Sequence, residues 1–177
     1  MRRGQACITG LATRGPGTTL LLLVAACSST STTDLSGVYM VTADVSSAPC
    51  GSDTPEAMPP AYVKFSSNEA FGATFVSYVP CSDAAATMCD SFGESFSEPI
   101  PDGWRGTSSS DSVSGSLCTL GYFLHTAVLN GKMLVIEVND YSDTPMLDAA
   151  HCTTAEAEKR GTSMPCEMHE RIEATKL

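Results

Sequence analysis

Two short clusters hold the residues most easily assigned to ligand chemistry. His151-Cys152 and Cys166-x-x-His169 offer two thiols and two imidazoles, the donor types zinc takes in tetrahedral sites. Glu94, Glu98 and Asp102 precede the lone Trp104, an arrangement of paired carboxylates beside an aromatic platform that suits glycoside hydrolysis. Asn139, Asp140, Ser142, Asp143 and Asp148 collect oxygen donors of the kind calcium takes, but without the glycine and closing glutamate of an EF-hand loop. Nucleophilic catalysis has no local motif: there is no G-x-S-x-G elbow, no S-x-x-K and no glycine-rich phosphate loop. A hydrolase would need His151 or His169 within hydrogen-bond reach of both a carboxylate and a serine. No catalytic residue, metal or cofactor is assigned on these grounds.

The chain that must position these groups has 177 residues, enough for one compact domain. Its formal charge of −10 argues against nucleic acid as a partner, because phosphate binding needs a cationic surface. The only apolar run long enough to concern a membrane lies at the N-terminus.

That N-terminal run has the build of an export signal. Arg2, Arg3 and Arg14 form a positive region, and Thr18 to Ala26 form a short apolar core around Leu20-Leu21-Leu22-Leu23. Val24-Ala25-Ala26-Cys27 then resembles the lipobox of bacterial lipoproteins. The resemblance implies a signal peptide over 1–26, a diacylglyceryl group on the Cys27 thiol and acylation, such as by palmitate, of the new amino group. Several chains of this kind anchor a protein essentially irreversibly. Ser28 after the lipidated position is, in many Gram-negative bacteria, permissive for export to the outer membrane. Residues 27–35, rich in Ser and Thr, read as a flexible tether, and 36–177 as the folded domain.

Loss of residues 1–26 removes three arginines and no acid, so seven basic residues face 20 acidic ones, a formal −13. Cys7 leaves with the signal and Cys27 carries lipid. Cys50, Cys81, Cys89, Cys118, Cys152 and Cys166 remain, and an even number in an exported chain implies three disulfides. The same oxidising compartment turns Cys152 and Cys166 from zinc ligands into half-cystines. Fifteen pairings exist; short loops favour Cys81–Cys89 and Cys152–Cys166, leaving Cys50–Cys118 as the long-range bond.

From Ser36 onward the apolar period is mostly two, the period of strands. Gly37 to Val45 sets Tyr39, Val41, Ala43 and Val45 against Val38, Met40, Thr42 and Asp44. Ala61–Ser66 and Phe71–Val79 read as a hairpin turning at Ser67-Asn68-Glu69, and Trp104–Ser109 with Ser112–Cys118 as another turning at Ser110-Asp111. Tyr122–Leu129, Asn130-Gly131 and Lys132–Tyr141 make the clearest hairpin, since Asn-Gly favours a type I′ turn. That register faces Phe123 with Val138, His125 with Ile136 and Ala127 with Leu134. Thr153 caps a short helix near 153–160 with early acids, late bases and Gly161 at its end. Cys166 to Thr175 is the last strand. The expected fold is mainly β, an antiparallel up-and-down meander forming a small barrel, with a sandwich as the alternative. Residues 46–60 and 80–102 are long loops, where a site would usually lie.

In plan the chain is similar to the cysteine-rich lipoproteins of Gram-negative bacteria. The similarity is carried by the lipobox, the hydroxyl-rich tether, and Glu156-Ala157-Glu158-Lys159-Arg160-Gly161 followed by Pro165-Cys166. It implies a location in the envelope, at the periplasmic face or the cell surface, and no activity. The expected role is a lipid-anchored binding module for a small ligand or an envelope protein. The alternatives are a passive structural lipoprotein and, further off, a hydrolase or metal-binding protein.

Overall fold

The computed structural model describes residues 32–70, 72–91 and 93–177. The signal segment 1–26, the lipobox with Cys27, and most of the tether lie outside the described residues. Among those described, no helix is long and apolar enough to cross a membrane.

Ten strands and one helix follow one another: β1 Gly37–Ser47, β2 Thr54–Pro55, β3 Tyr62–Ala70, β4 Ala73–Cys81, β5 Ser95–Phe96, β6 Glu98–Ile100, β7 Gly103–Ser114, β8 Leu117–Asn130, β9 Met133–Asp143, α1 Thr154–Arg160 and β10 Cys166–Lys176. The expected antiparallel meander is present. Its order is β5-β4-β3-β1-β10-β9-β8-β7-β6, so long strands consecutive in sequence lie side by side, and the first strand, β1, meets the last, β10. The segment Ser95–Ile100 nearly closes the barrel, because β5 pairs with β4 while β6 pairs with β7.

Two turns fall elsewhere than expected. Ser67, Asn68 and Glu69 are strand residues in β3, and Ser110 and Asp111 are strand residues in β7. The chain reverses instead around Gly72 and Gly115, with φ of 78° and 63°, which glycine adopts without the steric cost of a side chain. At the third hairpin Asn130 pairs with Met133, which makes Gly131-Lys132 the loop. His125 therefore faces Val138 and Ala127 faces Ile136, one step along from the expected partners. A two-residue slide leaves every side chain on its own face, so the apolar face predicted for this hairpin is the one that is buried.

The barrel interior is filled by side chains. Tyr39, Val63, Phe65, Val76, Tyr78, Phe96, Trp104, Ala127, Leu134, Ile136, Ile172 and Ala174 form one core. Phe65 stacks on Tyr78 at 5.3 Å between ring centroids, and Phe96 meets the His125 ring edge-on at 4.9 Å. Leu35 is fully buried in the same core and the Trp104 indole N–H donates to the Thr33 carbonyl at 2.8 Å. The folded domain therefore takes in at least Thr33 to Leu35, which composition had assigned to the tether.

A second, smaller cluster lies on the outer face of β8 and β9, where α1 covers Cys118, Leu120, Tyr122 and Tyr141 with Cys152, Ala157 and Met164. The helix forms where its caps predict: the Thr153 hydroxyl accepts from the Glu156 N–H, and Gly161 ends it. Arg160 then pins it to β9 through Asp143 at 2.8 Å.

Three disulfides are present, and two of the pairings differ from expectation. Cys81–Cys89 forms as predicted, while Cys50 joins Cys166 and Cys118 joins Cys152. Adjacency in space overrides loop length here. Cys50 follows β1 and Cys166 opens β10, its sheet neighbour, whereas Cys152 precedes the helix that packs over Cys118.

Candidate functional site

The two ends of the barrel differ in what they carry. At one end lie the reversals at Gly72 and Gly131 and the entry of the chain past Thr33. At the other lie the connections 48–61 and 82–94 and all three disulfides.

A β-bulge puts an acid into this second end. The β1–β10 register shifts between Val41 and Ala43, and one extra residue inverts the alternation beyond it. Tyr39 and Val41 face the core before the bulge; after it, Asp44 pairs with Ile172 and Ser46 with Glu170, and these face inward. Simple alternation would have turned Ala43 and Val45 inward and Asp44 to solvent. Asp44 is only 6 % exposed, and its Oδ1 receives no hydrogen bond from any described residue. A buried carboxylate oxygen without a donor is a costly arrangement.

Around it stand further acids. The Ser46 hydroxyl donates to Glu56, and the Glu56 N–H donates to the Asp44 carbonyl at 2.9 Å. Glu170 is half-buried beside them, and Glu94 rises at the rim with its side chain 51 % exposed. Burial first, then the charge of Glu56, raises the Asp44 carboxyl above the ordinary range. Burial, then Asp44, Glu56 and Glu94, does the same to Glu170. Burial, then Glu170, Glu94 and Asp44, pushes the Tyr78 phenol far up. Further round the wall, burial and Glu167 raise Asp140.

His125 closes one side of this cluster. Its Nε2 lies 2.7 Å from the Ser95 carbonyl oxygen, which can only accept, so Nε2 carries the proton. Nδ1 then faces Glu94 at 3.8 Å. Gly106, the cross-strand partner of His125, leaves room for this contact, since a Cβ there would overlap both the imidazole and the Ser95 carbonyl.

The arginines among the described residues are paired elsewhere. Arg171 bridges Glu137 and Glu173 on the outer face of the sheet, Arg160 holds Asp143 and Glu156, and Arg105 clasps Glu98. Lys132 lies in the β8–β9 turn at the entry end, where Lys176 sits over the Tyr39 ring. No arginine or lysine among the described residues forms an ion pair with Asp44, Glu56, Glu94 or Glu170.

The residues with apparent chemistry in the sequence are dispersed. Cys152 and Cys166 belong to different disulfides, so neither offers zinc a thiolate. Among the described residues no three His, Cys, Asp or Glu form a group that could hold a metal ion. His169 does meet a carboxylate and a serine, but in an order unsuited to catalysis. Its Nδ1 lies 3.0 Å from Asp53 Oδ1, and the Ser47 hydroxyl donates to that same oxygen at 2.9 Å. The acid stands between serine and histidine, so no imidazole faces the hydroxyl. His169 and Ser47 hold Asp53 well below the usual carboxylate range, and the three groups brace the loop that carries Cys50. His151 bonds only Asp148, at 2.7 Å on the surface. Of the glycosidase set, Glu98 is occupied by Arg105, Trp104 is buried in the core and Glu94 stands at the other end. Of the calcium set, Asp143 is taken by Arg160 and Asp148 by His151.

An open cleft of about 350 Å³ lies beside the acidic end, lined by Pro59, Pro60, Pro80 and Met88 with Asp90 at its edge. Both long loops contribute to it. In comparisons with protein-family models, curated proteins and solved structures, the chain matches none.

Proposed function

We propose that this chain is a lipid-anchored protein of the bacterial cell envelope, held by Cys27, most naturally in the outer membrane, and that it acts as a binding module. The observation that carries the reading is the polarity of the barrel: long, disulfide-pinned loops and uncompensated carboxylates share one end, and the chain enters at the other. An anchor at Cys27 leaves six residues to Thr33, a reach of about 20 Å at most. The entry end then faces the bilayer and the loop end faces outward. The acids gathered at the loop end support the same orientation, since anionic lipid repels that end. Because side chains fill the barrel, the binding surface is the loop end itself, not a calyx, and the partner is an envelope protein or a small ligand seated there. The passive-spacer alternative also accommodates a filled interior, but gives the two ends no different task.

The test uses the intact lipoprotein in its own cells. Labelled palmitate should enter the wild-type chain and not Cys27→Ser. A photo-crosslinking side chain at position 88, in the loop end, should give a discrete adduct that the same group at position 132, in the β8–β9 turn, does not. Absence of label removes the anchor. Equal or absent adducts from the two positions would leave the passive spacer as the better account.

A further inference from the structure

Deepening the reading of the loop end as a binding face, on which it rests, we infer that the acidic mouth is a site for an organic cation: a primary ammonium or guanidinium group seated between Asp44 and Glu170, with Glu56 and Glu94 at the rim.

Three observations converge. The first is the unpartnered Asp44 oxygen, more than nine-tenths buried on the inner face with Glu170 along the same wall. Such a group costs stability unless something with protons to donate joins it. The second is the gradient of exposure, from buried Asp44 through half-buried Glu170 to exposed Glu56 and Glu94. An incoming cation meets negative charge first in water, where it is drawn in, and then at depth, where the contact is least screened. The third is the placement of the arginines among the described residues, whose ion pairs hold other acids; no described arginine or lysine pairs with any of these four, and only His125 approaches one of them, Glu94 at 3.8 Å.

The chemistry favours an organic cation over a metal. Zinc needs donors about 2.0–2.3 Å away in a tetrahedral shell and calcium six or more oxygens, and no described trio of His, Cys, Asp and Glu converges in that way. An ammonium brings three donors and a guanidinium five, each satisfied at about 2.7–2.9 Å, and either bridges carboxylates too far apart to share a metal. His125 lines the site from the side, its Nε2 held on the Ser95 carbonyl and its Nδ1 turned toward Glu94.

The cation has two sources, a free polyamine or a basic side chain of a partner. Calorimetric titration of the full-length chain in non-ionic detergent, at neutral pH and low salt, distinguishes them. The probes are spermidine, acetyl-Gly-Lys-Gly-amide and acetyl-Gly-Arg-Gly-amide, with calcium and zinc chloride alongside. Saturable one-site binding of at least one organic probe is expected, weakened on the order of tenfold or more in both Asp44→Asn and Glu170→Gln. A preference for spermidine assigns a polyamine, and a preference for either peptide assigns a basic side chain. Circular dichroism checks that both variants fold, and the Glu173→Gln variant, changed on the outer face beside Arg171, should bind as wild type. Binding unchanged in both mouth variants, no binding of any organic probe, or saturable binding of a metal in its place each overturns the inference. The crosslinking experiment stands apart: end-specific adducts without cation binding would retain the binding face and discard its ligand class, and cation binding without adducts would do the reverse.

Discussion

At the entry end of the barrel each buried polar side chain has its partner. The Tyr39 hydroxyl donates to the Leu35 carbonyl at 2.8 Å, the Trp104 indole N–H donates to Thr33, and Leu35 is fully enclosed. Burial, with the Asp34 charge, pushes the Tyr39 phenol up to about 12, so it stays a neutral donor at any physiological pH. At the loop end, burial and then the charges of Asp44, Glu56 and Glu94 raise the Glu170 carboxyl, and Asp44 keeps a buried oxygen without a donor. The same sheet runs through both ends, so the difference lies in what the sequence places on its inner face. One end is arranged for stability. The other tolerates a cost that the fold does not need, and two disulfides, Cys50–Cys166 and Cys81–Cys89, clamp the segments that bear it.

If the loop end relies on those clamps, breaking them should have the largest effect. The Cys50–Cys166 bond spans 116 residues against 8 for Cys81–Cys89, which in the chain-entropy account makes them worth about 5 and about 2.5 kcal/mol. Replacing each pair by alanine and measuring urea midpoints should show the longer loop losing more. Equal losses would mean that the clamps act through native contacts and not through the unfolded chain.

Leu35→Ala probes the other end. Truncating a fully buried leucine should cost about 3 kcal/mol. If the ends are independent, the Glu170 carboxyl titration followed by NMR should stay where it is in the wild type. A displaced titration would show that the entry end and the acidic mouth are coupled.

Much of the scaffold was legible in the sequence. Period-two runs located the long strands, Thr153 and Gly161 bounded the helix, and the apolar face of the β8–β9 hairpin was readable despite its shifted partners. Turn positions were less so, because strands rich in serine continue past Ser67 and Ser110 to the next glycine, and hydroxyl residues serve strands and turns alike. Cystine pairing depends on which segments the sheet makes adjacent, and β1 meets β10 across more than a hundred residues. The site itself was hidden for a sharper reason. Strict alternation points Asp44 outward, and only the bulge after Val41 turns it in. The histidines were visible from the start, but whether Asp53 stands between His169 and Ser47 is a matter of loop geometry that no spacing encodes.

The central claim, that the acidic mouth is maintained against the stability of the fold, is tested most directly by the pH dependence of unfolding in Asp44→Asn. Glu56, Glu170, Glu94, Tyr78 and His125 are the titratable groups around that carboxyl. Its folded value is raised above the ordinary carboxylate value, so its contribution to stability is fully present below that ordinary value and is lost as pH rises through the folded one. Asp53, Asp148 and Glu156, held low by their partners, act in the opposite sense, and comparing variant with wild type at each pH cancels them. The account predicts that Asp44→Asn is the more stable protein at neutral pH, by about 1 kcal/mol, and that the advantage fades as pH falls toward the ordinary carboxylate range. A variant less stable than wild type at neutral pH would contradict it, because Asp44 would then be supporting the fold and not burdening it.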